Sequence, residues 1–237
     1  KYAMGFVEGS GDRLIGVQLL TEDQEIFLAS DSGKAIRFAA TDARETKSRT
    51  GIGVRGMSLK GGDDVISLSI LRRSGASPEE REAYLRAAPW KDNENETTLS
   101  AERMAEMAER EQFILTVCAN GYGKRSSAYE YRRTGRGGQG ITNIDNIARN
   151  GAVVASFPAQ DQAQIMLVTD QAKMIRMKVS DMRVIGRNTA GVRLFDVADK
   201  EQIVSAALIE AEDDPAEDTD IIDATSPDEA IGATEAE

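Results

Sequence analysis

Along most of the chain, short runs of apolar β-forming residues alternate with polar turns, and the pattern repeats. The segment Glu25-Ile26-Phe27-Leu28-Ala29-Ser30-Asp31-Ser32-Gly33-Lys34-Ala35-Ile36-Arg37-Phe38 has a counterpart in Gln164-Ile165-Met166-Leu167-Val168-Thr169-Asp170-Gln171-Ala172-Lys173-Met174-Ile175-Arg176-Met177. A third copy, Phe113-Ile114-Leu115-Thr116-Val117-Cys118-Ala119-Asn120-Gly121-Tyr122-Gly123-Lys124-Arg125, lies between them. Each reads as strand, tight turn, strand, because Asp-Ser-Gly or Asn-Gly between apolar runs is a strong hairpin signal. At Ala172 the expected turn glycine is missing.

The second half of each repeat agrees in register. Arg49, Arg136 and Arg187 each stand four residues before Gly53, Gly140 and Gly191, and each glycine precedes a β-branched residue: Val54, Ile141 or Val192. An apolar strand follows at Val65-Ile66-Ser67-Leu68, Val153-Val154-Ala155-Ser156 and Ile203-Val204-Ser205-Ala206. Four short strands per repeat, at a period near 50 residues, is propeller-blade content. The predicted fold class is therefore all-β: a partial β-propeller of repeated four-stranded blades. The expected organisation is a truncated blade ending at residues 1–20, with Leu14-Ile15-Gly16-Val17 as its last strand, and blades at 21–71, 113–158 and 159–209. A chain that opens with Lys1 inside a blade reads as a piece of something longer.

Two segments break the pattern. Ser77-Pro78-Glu79-Glu80 is a helix-start signal, and Leu99 to Arg110 is rich in helix formers, so residues 72–112 are expected to be a helical insertion with Trp90 anchoring it against a blade. It reads either as a contact surface or as a tolerated loop. From Glu210 to Glu237 there are twelve acidic residues and no basic ones, a composition that predicts disorder.

Charge changes its meaning once it is placed. The net charge of -11 comes from that tail and from Gly75 to Gln112, which holds ten acidic and five basic residues; the rest has 24 Lys and Arg against 18 Asp and Glu, a formal +6. A basic body with an acidic tail is compatible with polyanion binding under restraint. With no histidine and one cysteine, Cys118, the chain cannot assemble a Ser-His or Cys-His pair, a Cys/His zinc site or an internal disulfide. A lone thiol suits a reducing cytoplasm, and no apolar run approaches the roughly 20 residues of a membrane span. No carboxylate pair is marked for acid-base work or metal binding.

The most distinctive segment is Arg132-Arg133-Thr134-Gly135-Arg136-Gly137-Gly138-Gln139-Gly140. It formally satisfies G-x-G-x-x-G, yet β-like Ile141-Thr142-Asn143-Ile144 follows where a dinucleotide fold needs a helix. It reads instead either as a hairpin loop or as a loop whose glycines and arginines meet phosphate. Lys34, Arg37, Lys124, Arg125, Lys173 and Arg176 recur in the hairpins, and Arg49, Arg136 and Arg187 form a second row. Arg55, Arg132, Arg133 and Arg193 complete the candidate nucleic-acid phosphate contacts. Rows at a fixed blade position set charges along a curved rim, where they meet successive phosphates without reading bases.

Gly121-Tyr122-Gly123-Lys124-Arg125, Val184-Ile185-Gly186-Arg187-Asn188-Thr189 with Gly191-Val192, and Gly53-Val54-Arg55-Gly56 resemble repeat motifs of the DNA-wrapping C-terminal domain of the DNA gyrase A family, across residues 1–71 and 113–209. The resemblance implies a β-pinwheel, a propeller with strands exchanged between blades, that binds bent double-stranded DNA on its rim. That family's first blade carries a basic box, Gln-Arg-Arg-Gly-Gly-Arg-Gly, which does not stand here; Arg136-Gly137-Gly138-Gln139-Gly140 resembles a degenerate version of it. The resemblance further implies a non-catalytic chain without cofactors of its own. ATP and Mg2+ would act elsewhere in the parent type II topoisomerase, and the partners would be the remainder of gyrase A and its companion protein gyrase B. Tyr2, Tyr84, Tyr122, Tyr129 and Tyr131 lack the Arg-Tyr context of a DNA-cleaving tyrosine and read as strand or turn aromatics. The topoisomerase IV counterpart, a propeller that only docks proteins and an Arg-Gly RNA-binding tract are the competing readings.

Overall fold

The computed structural model describes residues 8–45, 51, 53–91 and 96–209, so Arg49 and the acidic tail lie outside the described residues. In chain order the strands are β1 (Gln24–Ser30), β2 (Lys34–Ala39), β3 (Val65–Arg72), β4 (Phe113–Cys118), β5 (Tyr122–Ser127), β6 (Ile141–Thr142), β7 (Val153–Pro158), β8 (Gln164–Thr169), β9 (Met174–Lys178), β10 (Val192–Arg193) and β11 (Ile203–Ile209). Helices α1 (Pro78–Arg86) and α2 (Ala101–Glu109) stand between β3 and β4.

Apolar residues on both faces of the β4–β5 hairpin bury the middle sheet between its two neighbours. The hairpins share one register: Phe27 opposes Arg37, Leu115 opposes Arg125 and Met166 opposes Arg176. β3, β7 and β11 add to the other edges of β1, β4 and β8, and β7 packs against both β3 and β11. Phe27, Ala29, Leu71, Ile114 and Tyr131 fill the space between the first two sheets; Leu115, Val117, Ile165, Leu167 and Met182 fill the next. Each such aliphatic side chain contributes about 2 kcal/mol on burial.

The fourth strand of a sheet comes from the following repeat. The orders are β3-β1-β2-β6 and β10-β5-β4-β7, while the third sheet, β11-β8-β9, has three strands among the described residues. Gly140 and Gly191, at φ 74° and 78°, open these lent strands where a Cβ would lie 2.5 Å from the Ala35 carbonyl and 2.7 Å from that of Gly123. Lys34 then pairs with Thr142, and Tyr122 with Arg193. Gly53-Val54, at the same position in the first repeat, forms no strand, because no described sheet offers it an edge. Nor do Leu14 to Val17, expected as a strand: β3, β7 and β11 each pair with the first strand of their own blade, and no described strand plays that part for 14–17.

The hairpin turns carry the same signature. Gly33 and Gly121 have φ of 85° and 78°, and Ala172 takes the left-handed conformation too, at φ 61°. The missing glycine therefore does not abolish the third turn.

The segment between β3 and β4 is helical and docked. Ser77 caps α1 in a capping box, its Oγ accepting from the Glu80 N–H at 3.2 Å while its own N–H donates to Glu80 Oε2 at 2.8 Å, with Pro78 as the first helical residue. Ser100 caps α2. Tyr84, which sits on α1 and not on a strand or turn, packs edge-on against Trp90 and Tyr129, and Trp90 packs against Phe113 of β4 with centroids 5.1 Å apart.

Candidate nucleic-acid interface

The basic residues separate into groups that hold the blades together and groups that face solvent. Arg37 and Arg125 belong to the first. Arg37, 4% exposed, donates to Glu25 within its own hairpin and reaches the next blade through the Ala128 carbonyl at 2.7 Å. Arg125, 5% exposed, lies over the Phe113 ring at 5.3 Å, donates to Asp161 and reaches the Met182 carbonyl of the next repeat at 2.8 Å. Arg176, the third member, is exposed and donates to Gln164 Oε1 at 2.6 Å. Glu25, Phe113 and Gln164 occupy one strand position, so each arginine is held by a different side chain at the same place.

Lys124 departs from its expected row. The register puts it level with Ile36 and Ile175, two residues further into the strand than Lys34 and Lys173. It is 0% exposed, and its Nζ donates to the carbonyls of Gly186, Arg187 and Thr189 at 2.9, 2.6 and 3.0 Å. Burial lowers its pKa to about 8. Lys124, Arg37 and Arg125 therefore cannot meet a phosphate without leaving the partners that offset the cost of their burial. The expectation that these three line the rim is corrected.

The second row is different. Arg136 donates from Nη1 to the Arg55 carbonyl at 3.1 Å, and Arg187 donates from Nη1 to the Thr142 carbonyl at 2.9 Å. Arg55 and Thr142 both stand two residues after the recurring glycine, Gly53 or Gly140, so the two bonds are one repeated contact between successive repeats. Arg136 is exposed and Arg187 half-buried, so a carbonyl fixes each guanidinium while part of it still faces water. Lys34 joins the same strip, with its Nζ 3.2 Å from Thr142 Oγ1. Arg55, Arg132, Arg133, Lys173 and Arg193 are exposed; Arg133 stands 3.8 Å from Glu25, Lys173 2.8 Å from Glu201 and Arg193 2.7 Å from Asp196.

The loop around Arg136 is pinned, not open. Gly137 donates its N–H to the Gly56 carbonyl at 2.6 Å, Ser58 donates to the Gly138 carbonyl at 2.9 Å, and Thr134 donates to the Arg37 carbonyl at 2.8 Å. What this loop offers outward is the side chains of Arg132, Arg133 and Arg136, with the Gly137 N–H already used inside the fold.

Two residues outside the expected rows join the interface. Tyr122 stands where the other blades have Lys34 and Lys173, and Arg149 and Arg193 place their Cζ atoms 4.8 and 5.6 Å from its ring centroid. Arg149 lies in the 3-10 turn Ala148–Asn150, which the repeat alignment does not cover. The signal that could have found the pair is the tyrosine replacing a lysine at a repeated position. Among the described residues, no group of three or more carboxylate or cysteine ligands could hold a metal, and no helix is long and apolar enough to cross a membrane.

Blades of antiparallel strands, with a strand lent from a repeat to the one before, define a strand-exchanged β-propeller. Residues 24–72, 112–160 and 163–210 match the family described as DNA gyrase C-terminal domain, beta-propeller, one match per repeat. The chain is 46% identical over 221 residues to the DNA gyrase A protein of Rickettsia bellii, covering 88% of this chain and 24% of that protein. It is 38% identical over 213 residues to the DNA gyrase A protein of Salmonella typhimurium, covering 90% and 20%. In fold it resembles a solved DNA gyrase A C-terminal domain (TM-score 0.59, 22% identity, 80% of this chain and 52% of that one) and the C-terminal domain of DNA topoisomerase IV (TM-score 0.66, 21% identity, 88% and 54%). The chain belongs to the DNA gyrase C-terminal domain family, and spans about a quarter of the length of the gyrase A relatives it matches.

Proposed function

We propose that this domain binds double-stranded DNA through its backbone, without regard to sequence, and bends it along the rim as part of a gyrase A protein. The observation that carries the reading is the repeated contact of Arg136 with the Arg55 carbonyl and of Arg187 with that of Thr142, which sets guanidinium groups at one position in successive repeats. A fixed, solvent-facing arginine is pre-organised for phosphate, and a row of them supplies affinity that every duplex shares. Bending a site of 20–30 base pairs by 40–90° costs about 1–6 kcal/mol, so several such contacts must act together.

In this reading the domain performs no bond chemistry. It presents DNA to the parent type II topoisomerase, in which the rest of gyrase A, together with gyrase B, uses ATP and Mg2+ to introduce negative supercoils in the cytoplasm. The fold alone does not distinguish gyrase from topoisomerase IV; the relatives at 46% and 38% identity, both named as gyrase A, favour the former. The test is a topology assay: closed circular DNA is relaxed by a nicking-closing enzyme in the presence of the domain, and its linking number is read after protein removal. A dose-dependent shift of one sign supports wrapping. An unshifted distribution at saturating protein refutes it.

A further inference from the structure

The middle blade holds an arrangement that the two rows do not account for. By register, Tyr122 occupies the position of Lys34 and Lys173, directly before Gly123, the counterpart of Ala35 and Met174. The positive charge absent from that position is supplied by two other segments. Arg193 sits opposite Tyr122 on the lent strand β10 and donates from Nη2 to the tyrosine hydroxyl at 3.1 Å. Arg149 comes from the 3-10 turn before β7 and lies closer to the ring than Arg193 does, at 4.8 Å.

The two guanidinium groups share one aromatic ring, and their compensation is incomplete. Asp196 accepts from Arg193 Nη1 at 2.7 Å but is itself 81% exposed. The Arg149 side chain has no ion-pair partner among the described residues. Arg149, over the ring, keeps its in-plane N–H groups for an oxyanion, whereas Arg193 gives one to the Tyr122 hydroxyl and one to Asp196, which an oxyanion can replace. Two like charges gathered at one ring repel each other until an anion lies between them.

We propose that Tyr122, Arg149 and Arg193 form a phosphodiester clamp for duplex DNA on the rim of the middle blade, with Asp196 as the internal counter-ion that the phosphate displaces. The proposal rests on the DNA-binding reading above and deepens it, because it makes an uncharged side chain a determinant of affinity. Tyr122 acts by holding two arginines in place.

The test uses the whole chain and a fluorescent random-sequence duplex, with binding followed by anisotropy across a salt series. Arg149→Gln lowers the slope of log K against log salt by roughly 0.9, the value of one lost phosphate contact. Tyr122→Leu weakens binding about two- to fivefold at low salt without changing net charge, while Tyr122→Phe retains most of the affinity. Asp196→Asn tightens binding about two- to threefold, a gain that no folding defect can imitate. Wild-type affinity and slope in Tyr122→Leu, Arg149→Gln and Asp196→Asn, alongside a reduced slope in Arg136→Gln, would overturn the clamp and leave the DNA reading standing. Absence of salt-dependent binding by the wild-type chain would overturn both.

Discussion

Leu194 donates its backbone N–H to the carbonyl of Gly121 at 2.8 Å, just as Asn143 donates to the carbonyl of Gly33 at 2.9 Å. The hairpin turn of each of these blades is thus the socket for the next repeat, which explains why the turn needs glycine there. A Cβ at Gly33 would lie 2.9 Å from the Ile144 carbonyl, and one at Gly121 would overlap that of Phe195. Around Ala172 no described strand approaches, and a side chain is tolerated. Gly121→Ala is therefore expected to cost about 3 kcal/mol or more, through overlap added to a strained φ. Ala172→Gly is expected to stabilise by about 1 kcal/mol, because it relieves the left-handed strain. Urea unfolding of the two variants measures both.

Buried and exposed cations separate by two readouts. Lys124→Met removes a donor from the carbonyls of Gly186, Arg187 and Thr189, of which Gly186 and Thr189 keep bonds from Thr189 and Asp145, and is expected to destabilise by about 2 kcal/mol. Arg136→Gln is expected to change stability by less than about 1 kcal/mol and to lower the salt slope of duplex binding by about 1. Thermal unfolding and a salt titration of each variant check the division; a slope change in folded Lys124→Met would contradict it.

Much of this was legible in the sequence, and the failures have physical causes. The hairpins, Ser77 as a helix cap and the Arg136 and Arg187 spacing could be read because local turn chemistry and repetition carry them. The depth of Lys124 could not be, since it stands two residues further along the same strand face than Lys34 and Lys173, where residues 186–189 of the next repeat cover it. The same holds for Arg37 and Arg125, whose partners Ala128 and Met182 lie in the neighbouring blade. Tyr122 and Arg149 were missed because they meet through space, from segments that do not align with one another.

Stability should depend on pH through Glu111. Burial raises its carboxyl from 4.5 to about 8, although Ser127 Oγ at 2.9 Å from each carboxylate oxygen and the Gln112 N–H at 3.0 Å favour the charged form. Between pH 4.5 and 8 the folded protein keeps a proton that the unfolded chain has released, so this group's contribution falls as pH rises across that window. Glu201, lowered to about 2 by Lys173 and Thr169, works in the opposite sense and lower down, losing its contribution as pH falls from 4.5 to 2. Glu111→Gln is expected to flatten the upper window only, as measured by denaturation midpoints from pH 5 to 8.

The helical segment rests on Phe113 and Tyr129 through Trp90 and Tyr84, but the β4–β5 hairpin keeps its own core of Leu115 and Val117. Replacing residues 75–110 with a Gly-Ser loop is expected to leave a cooperatively folding β protein with a lower midpoint, because loop length itself costs little while the aromatic cluster is lost. Tyr84→Ala alone should cost about 3–5 kcal/mol. Non-cooperative unfolding of the loop variant would show that the helices belong to the blade core.

The central claim is that an exposed arginine row binds duplex DNA by its phosphates alone. The measurement that tests it most directly is the affinity of the domain for two duplexes of unrelated sequence over a range of salt. The account predicts equal affinities at every salt concentration, with log K falling linearly against log salt at a slope of roughly -0.9 per phosphate contacted. No binding at low salt, or a preference for one sequence that persists as salt rises, would contradict it.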